Sequence, residues 1–398
     1  MTSTSPYQMT KQHHVKVLLV DDQAIISESV KVMLADEKDI EFAYCSDPTK
    51  AIDVANDFEP TVILQDLLMP EIDGMTLVRY FRANPKTKEV PLIVLSAKEE
   101  PTVKAEAFAN GVNDYLVKLP SKEEMIARIR YHSKGYISML ERNEAFEKLA
   151  QSQSALQQEL DEAADYVRSL FPEPITGDIT TYWKFIPSAQ LGGDAFGYHW
   201  IDDQNFAIYL IDVCGHGVKA ALLSISVINV LRSQSLSQSN YLEPSSVLNG
   251  LNHAFPMESN NNMFFSMWYG VYNKETKALT YSSGGHPPAF LIDQENHLNE
   301  LHTGGVLIGG FSDATFNQET TFIKNPSRLL VFSDGVFELE RSDNTHSTFT
   351  DFKNQLKAML PGDRQLVEKI ESWSREINGA GSFADDFSLL QVDFYPNE

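Results

Sequence analysis

Val15-Lys16-Val17-Leu18-Leu19-Val20-Asp21-Asp22 is a short, unbroken apolar run that stops on two carboxylates. Three later runs have the same form: Thr61–Gln65 stops on Asp66, Leu92–Leu95 on Ser96, and Tyr115–Val117 on Lys118. Helix-like stretches separate them. Short apolar runs of this kind read as strands buried on both faces, and their alternation with helices predicts an α/β doubly wound parallel sheet. In such a sheet the carboxyl ends of the strands share one edge, where ligands gather. Three carboxylates (Asp21, Asp22, Asp66), a hydroxyl (Ser96) and an ammonium (Lys118) therefore converge. Alone, Asp22 reads as a helix cap and each of the others as an ordinary strand-end residue. Together the carboxylates repel one another unless a cation sits among them, and oxygen ligands favour Mg²⁺. The lysine can then balance the charge of an added phosphoryl group.

Residues 15–131 resemble a response-regulator receiver domain. The resemblance rests on the acidic pair, Gln65-Asp66-Leu67-Leu68-Met69-Pro70 with Asp73-Gly74, Ser96-Ala97, and Tyr115-Leu116-Val117-Lys118. It implies that Asp66 accepts phosphoryl from a sensor histidine kinase, and that Asp21, Asp22 and Asp66 hold one Mg²⁺. It also implies that Ser96 and Lys118 contact the phosphoryl group, with Tyr115 the aromatic that reorients. One departure stands out: the family has Lys-Pro, often with a cis bond, whereas Leu119 separates Lys118 from Pro120 here.

The chain has 398 residues, enough for two or three domains at ~100–200 residues each. Lys and Arg number 32 against 55 Asp and Glu, a net charge of −23 that opposes binding to nucleic acid or anionic lipid. Two cysteines, Cys45 and Cys214, make no disulfide framework. No apolar run reaches the ~18–20 residues of a membrane span. Residues 1–14 are polar, lack a signal-peptide core and read as a flexible tail. A cytoplasmic protein without nucleic acid or membrane partners is the expectation.

Residues 132–171 contain no proline and only Gly135. The seam Met139, Arg142, Phe146, Leu149, Gln153, Leu156, Leu160, Ala163, Val167, Leu170 steps by three and four residues, a heptad pattern with two polar interruptions. An amphipathic helix lying on a neighbouring domain is one reading. The other is a coiled coil joining two copies into a homodimer, with Arg142 and Gln153 setting register. The heptad spacing favours the second.

Residues 172–398 mix strand alternation with helices, predicting an α+β antiparallel β-sandwich flanked by helices. Leu191-Gly192-Gly193-Asp194 and Ile211-Asp212-Val213-Cys214-Gly215-His216-Gly217 bracket two alternating segments, Phe196–Trp200 and Phe206–Leu210, around a turn at 202–205. Folded about that turn, the hairpin places Asp194 within a residue of Asp212, and cross-strand neighbours lie ~4.5–5.5 Å apart. Two such carboxylates can bridge two divalent metals. Two more acidic signals follow, Ser333-Asp334-Gly335 and Asp385-Asp386. Each alone is an ordinary turn; with the hairpin they supply four carboxylate positions. None of the ten histidines shows zinc spacing, so Mg²⁺ or Mn²⁺ is favoured.

From about residue 166 the chain resembles the metal-dependent PPM (type 2C) serine/threonine phosphatases, in their sporulation protein E-like branch. The matching residues are Leu170-Phe171-Pro172, Gly192–Asp194, Asp212–Gly217, Gly285–Pro288, Ser333–Gly335 and Asp385-Asp386. The resemblance implies that Asp194 and Asp212 bridge two Mn²⁺ or Mg²⁺ ions, that the Val213 carbonyl assists one, and that Asp334 and Asp385 complete the second. Asp385 is preferred to Asp386 because the family's ligand is the first acid of the pair. His216 reads as a structural residue at a helix start rather than a catalytic acid, and His286 as a residue shaping the site. Cys214, Lys219 and Phe337 replace the usual Ser, Pro and Thr; no carboxylate is lost. The resemblance implies a response regulator controlling a phosphoserine/phosphothreonine phosphatase. Its substrate would be a STAS-type anti-sigma-factor antagonist in a partner-switching pathway. The alternative is a catalytically idle adaptor that grips a sigma factor or its regulator.

Overall fold

The computed structural model describes residues 13–97, 100–324, 326–341, 344–360, 366–379 and 381–395. Residues 1–12 of the expected flexible tail lie outside the described residues. The chain divides into two compact units, Met1–Ser154 and Ala155–Glu398.

In the first unit the strands are β1 (Val15–Val20), β2 (Ile40–Cys45), β3 (Val62–Asp66), β4 (Leu92–Ser96) and β5 (Asp114–Val117). They pair in parallel in the order β2-β1-β3-β4-β5. The helices are α1 (Ala24–Leu34), α2 (Ala51–Phe58), α3 (Gly74–Ala83), α4 (Pro101–Ala109) and α5 (Lys122–Ser169). Side chains alternate between two apolar layers: Leu18, Val20 and Ile63 pack with Leu77 and Phe81, while Val17, Leu19 and Leu64 pack with Val30, Met125 and Ile129. This period-two sorting is what a sheet covered on both faces requires. The apolar runs had announced four of the strands. The edge strand β2, half-buried along most of its length, has no such run. Asp73 caps α3 by accepting from Thr76 N (3.2 Å). The Lys118–Leu119 peptide bond is cis even though Leu119 stands where the family has proline.

In the second unit, β6 (Ile179–Ile186), β7 (Ala195–Trp200), β8 (Asn205–Val213), β9 (Phe265–Asn273), β10 (Ala278–Gly284), β11 (Ala289–Asp293), β12 (Leu298–Leu301), β13 (Glu319–Phe322), β14 (Ser327–Phe332) and β15 (Phe387–Phe394) make two antiparallel sheets. Their orders are β13-β10-β9-β8-β7 and β12-β11-β14-β15-β6. Helices α6 (Val218–Arg232) and α7 (Pro244–Ala254) cover the first sheet. Helices α8 (Phe349–Met359) and α9 (Leu366–Asn378) pack on the second. Strand β14 shows the layering: Leu329 and Val331 join the core shared with the first sheet, Leu330 and Phe332 the core beneath α8 and α9.

The long helix α5 joins the two units. In its last turns Leu160, Ala164 and Val167 pack against Leu191, Ala221 and Ile225. The heptad seam had placed Ala163 in this stripe, but Ala163 is exposed and Ala164 is buried. The registers differ because a helix resting on a globular surface follows the 3.6-residue period and not the 3.5-residue seam of a supercoil. Further up, Phe146, Leu149 and Leu156 are exposed. Among the described residues no helix is long and apolar enough to cross a membrane.

Candidate functional site

At the carboxyl edge of the first sheet, β1 delivers Asp21 and Asp22, β3 Asp66, β4 Ser96 and β5 Lys118. Asp21, Asp66 and Ser96 are almost fully buried. Lys118 Nζ lies 2.8 Å from Asp21 Oδ2 and 2.7 Å from Asp66 Oδ2. Burial pulls the Lys118 ammonium down, but its bonds to the two carboxylates outweigh that and hold its pKa above the ordinary lysine value. Burial pushes Asp21 up against the opposing pull of Lys118 and the Gln23 N–H. Asp21, Asp22 and Asp66 each bring a carboxylate oxygen within 4.8 Å of the others. Asp22 Oδ1 is buried with no hydrogen-bond partner among the described residues. An orphaned buried oxygen in an all-oxygen set fits a hard divalent cation. Tyr115 is buried, with the Lys104 ammonium 5.6 Å from its ring centre. Gly74 has to be glycine: a Cβ there would stand 2.5 Å from Leu67 Cα, on the loop that follows Asp66.

In the second unit β7 and β8 pair with Ala195 opposite Ile211. One further step of that register sets Asp194 opposite Asp212, the arrangement the hairpin predicted. The Gly192-Gly193 bend is demanded by crowding, since a Cβ on Gly193 would stand 2.8 Å from both Val213 O and Gly215 O. Gly215 and Gly217 both take φ of 90°, which turns the chain sharply from β8 into α6.

Asp212, Asp334 and Asp385 line one cavity of about 750 Å³. Asp194 is buried, and its Oδ2 has no hydrogen-bond partner among the described residues. Among the described residues no lysine or arginine lines the cavity. Burial and then Asp212 and Asp386 push Asp194 well above the carboxylate range. Burial, with Asp334 and Asp385 next, pushes Asp212 up to about 7. Burial and Asp385 push Asp334 up to about 6. Acids raised this way lack countercharge, and the donor set is again all oxygen, which fits divalent cations. Among the described residues only Asp21, Asp22 and Asp66 bring three ligand oxygens within 4.8 Å of one another, so the second set is the looser of the two.

Of the remaining signals, His286 is buried at the cavity wall. Its Nδ1 pairs with Pro287 O (3.0 Å), and burial pushes its pKa down to about 4, so the ring is neutral. His216 is exposed. Phe337 is buried among Phe332, Phe349 and Phe352, so the residue replacing the family's Thr belongs to the core. Phe171 sits among Trp183, Phe185 and Phe196. Sequence reasoning missed Ser188 and gave Asp386 no role; nothing local marks either residue. The Asp386 carboxylate accepts from Ser188 N, Ser188 Oγ, Gly193 N and Asp194 N.

The response regulator receiver domain family matches residues 17–130, and the stage II sporulation protein E family matches residues 202–395. The phosphoserine phosphatase RsbP of Bacillus subtilis is 27% identical over 226 residues, 53% of this chain and 55% of that protein. The phosphoserine phosphatase RsbU of the same organism is 29% identical over 208 residues, 52% of this chain and 60% of that protein. The chain thus spans less than two thirds of the length of these curated relatives. The SiaA-PP2C domain of Pseudomonas aeruginosa shares the fold, with a TM-score of 0.53 at 17% identity, over 62% of this chain and 99% of that one.

Proposed function

We propose, for a chain that is a response-regulator receiver domain joined to a SpoIIE/RsbU-like phosphatase domain of the PPM type, that it is a phosphorylation-controlled phosphoserine/phosphothreonine protein phosphatase. One observation carries the reading: Asp212, Asp334 and Asp385 line a single cavity, with Asp194 opposite Asp212 one step beyond the β7–β8 ladder. In this reading Asp194 and Asp212 would hold two Mn²⁺ or Mg²⁺ ions, the Val213 carbonyl would assist one, and Asp334 and Asp385 would complete the second. Such ions, when bound, lower the pKa of a bound water and hold phosphoryl oxygens for in-line attack.

The chain's own part is to position and to exclude. Among the described residues no lysine or arginine offsets these four carboxylates, so without bound cations they would repel a phosphate dianion. Phe264, Phe265, Leu307 and Phe337 give the cavity an apolar wall. No side chain needs to act as nucleophile: Cys214 lies in the cavity but lacks the Cys-x5-Arg loop of cysteine phosphatases.

Control enters at Asp66, phosphorylated by a sensor histidine kinase while Asp21, Asp22 and Asp66 hold one Mg²⁺. The proposed substrate is a STAS-type anti-sigma-factor antagonist carrying phosphoserine, and the proposed assembly is a homodimer through α5. The test is Mn²⁺-dependent release of phosphate from such a phosphoprotein. Asp212→Asn should reduce the rate at least ~100-fold, as expected when several kcal/mol of charge stabilisation are lost. Equal rates in the two proteins would sink the reading. Mn²⁺ binding without turnover would favour the adaptor.

A further inference from the structure

We infer that Asp386 is the positioning residue of the second site, clamping three ligand-bearing segments together without itself holding an ion; this rests on the phosphatase reading above. Asp386 is 2% exposed, and both of its oxygens are occupied. Oδ1 accepts from Ser188 N (2.7 Å) and Ser188 Oγ (2.9 Å). Oδ2 accepts from Gly193 N (2.5 Å) and Asp194 N (3.2 Å). A carboxylate offers about four lone-pair sites. All are taken by protein donors, and none faces an open position. Asp385 is built differently. It lines the cavity, and among the described residues its Oδ1 accepts only the Asp386 N–H (2.8 Å).

Asp386 reaches all three segments. Its side chain holds the 188–194 loop that presents Asp194. Its backbone N–H orients Asp385. Its backbone carbonyl accepts from Ser333 Oγ (3.0 Å), the residue before Asp334. Two glycines record how tightly the segments close on it. A Cβ on Gly192 would stand 2.6 Å from Asp386 Oδ2, and one on Gly335 would stand 2.2 Å from Asp386 O. The two acids of Asp385-Asp386 thus divide the work: Asp385 faces the cavity, and Asp386 fixes the distances between ligands. Outer partners that orient metal ligands commonly account for ~10–100-fold in metal affinity.

The experiment titrates Mn²⁺ into the full chain by calorimetry, and follows backbone amide exchange at Gly193 and Asp194. Asp386→Asn should leave the number of ions bound at saturation unchanged, weaken their affinity ~10–100-fold, and speed exchange at both amides. Excess Mn²⁺ should restore turnover. Asp385→Asn should instead lose one ion, with no rescue and with both amides still protected. Should Asp386→Asn fail to fold, Ser188→Ala removes one donor only and should give a smaller weakening at unchanged ion count. An ion lost in Asp386→Asn, or affinity and exchange both unmoved in whichever variant folds, overturns the inference. A wild-type chain that binds no Mn²⁺ in the second unit overturns the phosphatase reading instead, so the two failures are told apart.

Discussion

Asp194 and Asp212 face each other one register step beyond the last pair of the β7–β8 ladder, Asp194 buried and pushed up in part by the charge of Asp212. Two acids so placed disfavour each other's ionisation unless a cation intervenes. The same pair that would bind metal therefore destabilises the metal-free fold. Asp212→Asn removes one of the repelling charges while keeping the shape. It should raise the unfolding temperature in chelator above that of the wild type, and abolish both the Mn²⁺-induced rise and the turnover. Thermal melts of the full chain with and without Mn²⁺ test this. A variant less stable than wild type in chelator would show that the acids are not in conflict.

At the first site the lysine competes with the cation. Lys118 occupies oxygens of both Asp21 and Asp66. Lys118→Ala leaves three carboxylates with no internal countercharge, so Mg²⁺ affinity there should rise about 3–10-fold, by the charge removed in a partly screened site. Phosphoryl transfer to Asp66 should still suffer, because the added charge then lacks its partner. Calorimetry in an Asp212→Asn background reads the first-unit ion. Unchanged or weaker Mg²⁺ binding would contradict the competition.

The root of α5 predicts a pH dependence. Asp114 at the start of β5 accepts from Arg128 Nη1 (2.9 and 2.7 Å) and pairs with His132 Nε2 (3.1 Å). Burial works against its ionisation, but the bonds from Arg128 and His132 outweigh it and hold the carboxyl below the usual range. A depressed carboxyl stabilises the fold above its unfolded pKa of ~3.9, and the contribution is lost as pH falls through the folded value. Arg128 is partly exposed, so Arg128→Ala should cost only about 1 kcal/mol at neutral pH. That cost should shrink below about pH 4. Denaturant melts of both proteins from neutral to acid pH check the sign; a gap that widens on acidification would refute it.

The parts of this molecule that repeat were readable, and the parts that meet across long separations were not. Unbroken apolar runs ending on Asp66, Ser96 and Lys118 announced buried strands because burial on both faces leaves a local record. Strand β2, at the sheet edge, leaves none. The hairpin from Ala195 to Val213 could be registered by symmetry about its turn, which placed Asp194 opposite Asp212. The bonds from Ser188 and Gly193 to Asp386 span 198 and 193 residues. No period or spacing encodes them, so Asp386 read as the spare half of an acidic pair. Ala163 stood in the seam where Ala164 is buried for another reason: the same apolar residues fit a supercoil seam or a stripe on a globular surface, and only the packing partner decides.

That ambiguity sets the last prediction. Leu160, Ala164 and Val167 find partners within the second unit, but Phe146, Leu149 and Leu156 remain exposed at 73%, 55% and 58%. Leu149 and Leu156 are seven residues apart, and Phe146 lies three before Leu149, the spacing of one coiled-coil seam. An isolated helix gains nothing by presenting three large apolar side chains to water, whereas a second copy of the same helix would bury all three. Burying each contributes roughly 1.5–3 kcal/mol. Sedimentation should therefore find the wild type dimeric at micromolar concentration, and Phe146→Asp with Leu149→Asp monomeric, with Mn²⁺ binding in the second unit retained. If the dimer transmits the state of Asp66, beryllofluoride should change the phosphatase rate in the wild type and not in the monomeric variant. A monomeric wild type would remove the seam from the mechanism. A dimer that survives both aspartates would place its interface elsewhere.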